Sequence, residues 1–311
     1  LNPKKKSFKK KPTQKHQDPN GNSSLHNAVL HGNIELLKEL IEAKVNVDPK
    51  NNLGDTPLAI ALLLQKVEEA QLLVAAGANI NLQDDDNYTP LHDAAGHGNL
   101  ELVQALITAG ADVHILDCDE QTPLFHAMVS NDIEVVTALL QAGSKINVKN
   151  NVGKTPLHDA VLIETPEMTQ LLLASQADVH AQDVNGYTPL HNAAGAGNSD
   201  IAQMLLNNGA NVHALSIFKD TPLHIASSSD RIRIIKTLLD AGAKINDQDI
   251  DGLTPLHIAA ATGHESIIKA LAHAGSDLQM VDIKNKKAID CAKNKKIRSF
   301  LMDIYEAKEQ K

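Results

Sequence analysis

Histidine is the residue type that first invites a chemical reading, since the chain of 311 residues holds fifteen. Six of them, His26, His92, His158, His191, His224 and His257, follow a leucine in one register of a 33-residue period. Each therefore belongs to a different repeat, and no His-x-x-x-His pair or close Cys/His set meets the spacing of a zinc site. His92-Asp93 and His158-Asp159 resemble half of a catalytic dyad. Adjacent residues on a helix do not face each other, however, and no activated Ser or Cys motif accompanies them. The glycines stand singly rather than in phosphate-cradling loops. No metal, no cofactor and no catalysis are expected.

The elements that position these histidines are set by Thr-Pro-Leu. It occurs seven times, at Thr56, Thr89, Thr122, Thr155, Thr188, Thr221 and Thr254, always 33 residues apart. Degenerate copies at Ser23-Ser24-Leu25 and Lys287-Ala288-Ile289 extend the register both ways. A fixed period of this length means a stacked repeat array. Thr caps a helix N-terminus, Pro is tolerated at the first helical position, and Leu begins the buried stripe. Ala follows three residues later in all nine copies, on the same helix face, where it lets the neighbouring helix approach. A second helix carries Leu40, Leu73, Leu106, Leu139, Leu172, Leu205, Leu238 and Leu271 in one register. Gly then ends it in six repeats, as a left-handed terminus favours, while Lys44 and Gln176 take that place in two.

The unit Asp-x-x-Gly-x-Thr-Pro-Leu-His-x-Ala, followed by a Gly turn, a Leu-Leu helix and Gly-Ala-Asp/Asn-Val/Ile, resembles the ankyrin-repeat family, best at 84–116, 183–215 and 249–281. The resemblance implies an all-α solenoid of helix–loop–helix units with β-hairpin fingers, and protein binding along a concave groove. It gives the six recurring histidines a structural role, hydrogen-bonded around the Thr of their own motif. His114, His180 and His213 stand at the hairpin site where the family has Asn, and are expected to replace one polar hairpin bond with another. The organisation reads as a basic tail, 1–17, and an array, 18–311. Its repeats are 18–50, 51–83, 84–116, 117–149, 150–182, 183–215, 216–248, 249–281 and the C-terminal cap 282–311. Repeat 5 departs furthest from the pattern, with Glu164 at its interhelical turn and Thr165-Pro166 restarting the helix.

Length alone would suggest two domains, but a repeat cannot bury its apolar face alone, so one elongated, monomeric array is expected. At roughly 8–10 Å per packed helix layer it would span roughly 75–90 Å. Cys118 and Cys291 lie in distant repeats, so no internal disulfide is expected and a reducing, intracellular and cytoplasmic setting fits. A chain that starts at Leu1 rather than Met reads as a piece of something longer. No apolar stretch is long enough for a membrane span. The net charge of −9 divides unevenly: residues 1–17 carry seven lysines and no acid, while 18–283 carry 34 acids against 13 basic groups. The Lys4–Lys11 cluster resembles a nuclear-import or anionic-surface tether. Nucleic-acid binding by the array is not expected, because no aromatic interleaves the C-terminal lysines for base stacking.

In the family the variable positions are the fingertips and the exposed face of the first helix. Here these hold Asp85, Asp86, Tyr88, Asp119, Glu120, Val129, Leu162, Ile163, Tyr187, Ile217 and Phe218. Acids beside apolar residues point to a basic, partly apolar protein or peptide as partner. The apolar members suggest a ligand crossing repeats 4–7, touching Val129, Leu162, Ile163, Tyr187 and Phe218. The function expected is a non-catalytic interaction scaffold. Two alternatives stay open: a targeting adaptor that uses the lysine tail, and an effector delivered into another organism's cells, as ankyrin arrays from intracellular bacteria can be.

Overall fold

The computed structural model describes residues 17–163 and 165–309. The lysine cluster and Glu164 lie outside the described residues. The chain groups into two compact units, Leu1–Lys145 and Ile146–Lys311.

Each repeat opens on a finger held by one short polar side chain. Asp18, Asn51, Asp84 and Asp117 do this in the first unit. Asn150, Asp183, Ser216, Asp249 and Asp282 do it in the second. Each accepts the backbone N–H groups two and four residues further on. The family resemblance implies β-hairpins here. Among the described residues the fingers are instead tight turns, with one isolated antiparallel bridge between Val281 and Lys287. The anchoring residue's own N–H donates to the carbonyl four residues on, and its side chain takes two more N–H groups of the turn, so a single backbone bond closes each finger. One backbone bond ties one fingertip to the next. In the first unit Asn52 donates to Asn20 and Cys118 to Asp86. In the second Val184 donates to Val152, Ile217 to Asn185, Ile250 to Phe218 and Ile283 to Asp251.

The first unit holds four helix pairs: α1 (Ser24–Leu30) with α2 (Ile34–Glu42), α3 (Pro57–Leu63) with α4 (Val67–Ala75), α5 (Pro90–Gly96) with α6 (Leu100–Thr108), and α7 (Pro123–Ser130) with α8 (Ile133–Gln141). The second holds α9 (Pro156–Leu162) with α10 (Pro166–Ala174), α11 (Pro189–Ala196) with α12 (Ser199–Asn207), α13 (Pro222–Ala226) with α14 (Ile232–Asp240), and α15 (Pro255–Thr262) with α16 (Glu265–His273). A 3-10 turn, Ala288–Cys291, and α17 (Lys295–Glu309) follow. The architecture is an all-α solenoid. Every Thr-Pro-Leu helix starts on its proline, and every leucine after that proline is at most 1% exposed. An apolar side chain buried this fully contributes about 1.5–3 kcal/mol, so each repeat draws its stability from its neighbours. α13 is cut short where the hydroxyls of Ser227, Ser228 and Ser229 donate back to the carbonyls of Leu223, Ile225 and Ala226. At the C-terminal cap Ile297 and Leu301 bury one face of α17, while Lys296 pairs with Glu265 and Arg298 with Asp290 on its exposed side. Cys118 and Cys291 are both free.

Two left-handed turns show opposite uses of glycine. The residue that ends each second helix is left-handed, and Gln176 holds φ +67° there where most repeats have Gly. At the fingertip Gly153 is also left-handed, and a Cβ on it would meet the backbone N of Val184 at 2.8 Å. Gln176→Gly should therefore raise the unfolding free energy by about 1 kcal/mol, and Gly153→Ala should lower it by more than that. Urea unfolding of both variants checks this. Equal or inverted effects would show that these two turns do not need a residue free to adopt the left-handed conformation.

Candidate functional site

The six recurring histidines are built into the stack. Each Nδ1 lies 2.7–2.9 Å from the hydroxyl of its own Thr or Ser and receives that residue's backbone N–H. The ring proton is thereby placed on Nε2. Each Nε2 donates across to the finger of the next repeat, onto the carbonyl of Asp55, Gln121, Tyr187, Asp220, Leu253 or Lys286. The cap is a reciprocal box in which His takes the place of the usual Glu. Where Ala59 follows instead, Thr56 caps alone, its Oγ1 accepting the Ala59 N–H at 3.2 Å. Where Phe125 follows, it is buried, and Thr122 Oγ1 has no hydrogen-bond partner.

Neither His-Asp neighbour pair forms a dyad, because His92 and His158 are spent on the next finger. A true His–Asp bond does exist, between His126 Nε2 and the buried Asp117 Oδ2 at 2.7 Å. Tyr88 packs edge-on against His126 at 4.9 Å and against His92 at 5.8 Å. The thiol beside this cluster, Cys118, is held above its ordinary pKa by local desolvation and by Asp119, Asp117 and Asp86. That is the reverse of what activates a nucleophile. Among the described residues no group of three or more His, Cys, Asp or Glu side chains is placed to hold a metal ion. No helix there is long and apolar enough to cross a membrane.

Among the described residues, hollows of about 400 Å³ lie in the second unit, one between the 3-10 turn and α17 and one by Arg231 and Arg233, but the hollow lined by several exposed leucines lies in the first unit. Leu30 at the end of α1, Leu63 and Leu64 at the end of α3, and Leu53 on the facing fingertip are all exposed, Leu53 at 78% and Leu63 at 63%. They converge on a groove of about 460 Å³ floored by Ile60 and rimmed by Asn20, Asn22 and Asp55. The next hollow along is lined by Asp55, Asp84, Asp93 and Tyr88. Burial, with the like charges of Asp84 and Asp55, pushes the Asp93 carboxyl up to about 6, partly offset by His97. A leucine well thus adjoins a cluster of carboxylates that repel one another.

The family model for ankyrin repeats (3 copies) matches residues 5–84, 66–150, 91–183, 142–216 and 212–282. The chain is an ankyrin-repeat protein. No curated protein matches it.

Within this ankyrin array the predicted site residues fall into three groups. Asp85, Asp86, Asp119, Glu120 and Val129 are exposed in the first unit, as are Leu162, Ile217 and Phe218 in the second. Tyr88 and Tyr187 are half-buried braces: the Tyr187 hydroxyl donates to Asp220 and its ring packs on His191. Ile163 is half-buried as the C-cap of α9. The row expected to touch one ligand therefore divides between the two units, Val129 in the first and the rest in the second. Reading by type missed Leu30 and Leu53 in the well. It also missed Val184 and Ile283, which with Ile217 and Ile250 repeat an exposed β-branched side chain at one fingertip register of the second unit. The register itself was the available signal: 184, 217, 250 and 283 are 33 apart. The imidazoles of His114, His180 and His213 are exposed. The polar finger bond at these sites is made by their backbone N–H to Asp112, Asp178 and Asn211.

The buried bridges make acid sensitivity predictable. Burial depresses His26, His158 and His224, and brings His92 and His191 down to about 4 from an ordinary 6.5. Above the ordinary value both folded and unfolded chains are neutral. Below it the unfolded chain takes up protons that the array refuses, so stability falls as the pH drops from 6.5 toward 4. His92 and His191 each contribute on the order of 3 kcal/mol to that fall. Asp93 runs the other way: its raised value favours the protonated folded form, a contribution present below 3.8 and lost as the pH rises through about 6. Asp93→Asn should raise Tm near pH 7.5 and have much less effect near pH 4, giving a steeper acid decline. An equal shift of Tm at both pH values would refute the crowding of Asp93. Phe218 is 45% exposed, and Phe218→Ala should change stability by only about 0.5 kcal/mol. A large fall in Tm would show it to be core.

Proposed function

We propose that this array is a preformed receptor for a basic, partly apolar protein segment, seated in the groove of the first unit. Ankyrin repeats are protein-interaction modules, and the observation that carries the finer reading is the leucine well beside Asp55, Asp84 and Asp93. Several large apolar side chains exposed together on one unit mark an interaction site rather than ordinary surface. An apolar anchor in a desolvated pocket supplies most of the affinity. The carboxylates, with exposed Asp85, Asp86, Asp119 and Glu120 beyond them, steer a cationic ligand and select against acidic ones. Hydrogen-bonded fingers hold both walls in place, so little ordering is left to be done on binding.

A peptide-display selection on the full chain tests this. Enriched sequences should combine lysine or arginine with one or two large apolar residues. Association of such a peptide should slow as salt rises, and slow again when Asp85, Asp86, Asp119 and Glu120 are changed together to Lys. Leu63→Glu should instead speed dissociation, by about tenfold or more. Selection of acidic or purely polar peptides, or an on-rate indifferent to salt and to the four charges, would overturn the reading.

A further inference from the structure

The described chain begins beside its own groove. Asp18 anchors the first finger, and Asn20 and Asn22 of that finger rim the leucine well. The segment before it, residues 1–16, reads Lys-Lys-Lys-Ser-Phe-Lys-Lys-Lys at 4–11, and Phe8 is its single aromatic residue. Seven lysines and no acid stand in those residues. The groove offers the complement in the same order of chemistry, an apolar well flanked by Asp55, Asp84 and Asp93.

We propose that the chain's own N-terminal segment occupies this groove, with Phe8 in the well between Leu30, Leu53 and Leu63 and the flanking lysines against Asp55, Asp84 and Asp93. The proposal rests on the reading of the groove as a site for basic, partly apolar segments, and names an occupant supplied in cis that an outside partner must displace. Reach is sufficient. Residues 9–16 can span up to about 27 Å when extended, and the well starts at the finger to which they lead. Affinity need not be high, because a short tether gives an effective concentration on the order of millimolar. The carboxylates also favour this occupant over another apolar one. Asp93 sits among like charges, and a lysine ammonium relieves that repulsion. A second copy of the array would bring more acid to the same place, since residues 18–283 carry 34 acidic groups against 13 basic ones.

The test uses the full chain with ¹³C-methyl leucine, as wild type and as Phe8→Ala, a change outside the helical array. The methyls of Leu30, Leu53 and Leu63 should show ring-current shifts in the wild type that vanish in Phe8→Ala. These shifts should fade at about 0.5 M salt, where charges are screened within a few Å, and should not change on dilution. A synthetic peptide of residues 1–16 should bind the Phe8→Ala chain about tenfold or more tighter than the wild type, because the tethered copy no longer competes. Identical methyl spectra for the two chains would overturn the proposal. So would shifts that disappear on dilution, which would assign the occupant to a second molecule. If the peptide perturbs the leucine methyls of both chains with equal affinity, the groove reading stands and cis occupancy fails. If it perturbs neither, both fail.

Discussion

The constraint on which the array depends is a neutral imidazole sealed between two repeats. Its Nδ1 can accept the Thr N–H and its Nε2 can donate to the next finger only while the ring carries one proton. Burial enforces that state, and the bond in turn sets the register of the next finger against the first helix. A buried N–H or carbonyl left without a partner costs on the order of 1–3 kcal/mol, so the histidine satisfies at once a helix start and a finger end. Repeats without it show what is lost. Ala59 leaves Thr56 to cap alone, and Phe125 trades the hydrogen bonds for apolar volume at the expense of the Thr122 hydroxyl.

The fingers complete the frame and release the tips from it. Because one Asp, Asn or Ser side chain holds two N–H groups of each turn, the fold does not dictate which residue type stands at the tip. The two units use that freedom differently. In the first, the register of Ile217 is filled by Asn52, Asp85 and Cys118. In the second it is filled by Asn151 and then by Val184, Ile217, Ile250 and Ile283. The same backbone therefore presents a polar, acidic edge in one unit and a mainly β-branched one in the other.

The fold was legible because its determinants are local and periodic. Thr-Pro-Leu, the buried alanines and the left-handed helix ends each declare one position of the unit, and Lys44 and Gln176 fell in the expected conformation despite lacking glycine's freedom. The hairpin fingers are shorter than the resemblance implies: one backbone bond, from the anchoring residue to the carbonyl four residues on, closes each of them, and among the described residues none extends into a strand. The candidate site was half legible. Exposed acids and Val129, Leu162 and Phe218 followed from register, since a tip or a helix edge faces outward in every repeat. Tyr88 and Tyr187 did not, because the histidines that bridge the repeats give an aromatic ring a partner to pack on. The well was harder still: Leu53 belongs to a finger and Leu30 to a helix of another repeat, and only folding brings them to one hollow.

Asp93 ties stability to the surface that binds. A carboxyl that is half-buried beside Asp84 and Asp55 destabilises the folded array at neutral pH. Its counterpart in the second unit, Asp159, is also raised by burial and offset by Lys154, as Asp93 is offset by His97, but only Asp93 is raised further by neighbouring acids, Asp84 and Asp55. The repulsion in the first unit is thus specific to the groove that also holds the leucine well. An asparagine would remove the repulsion at no cost in shape. Keeping the acid leaves a carboxylate disfavoured first by burial and then by its acidic neighbours, and an arriving ammonium group offsets that second part. A cationic segment therefore gains twice in this groove, once by burying an apolar side chain and once by neutralising a cluster the array holds at its own expense.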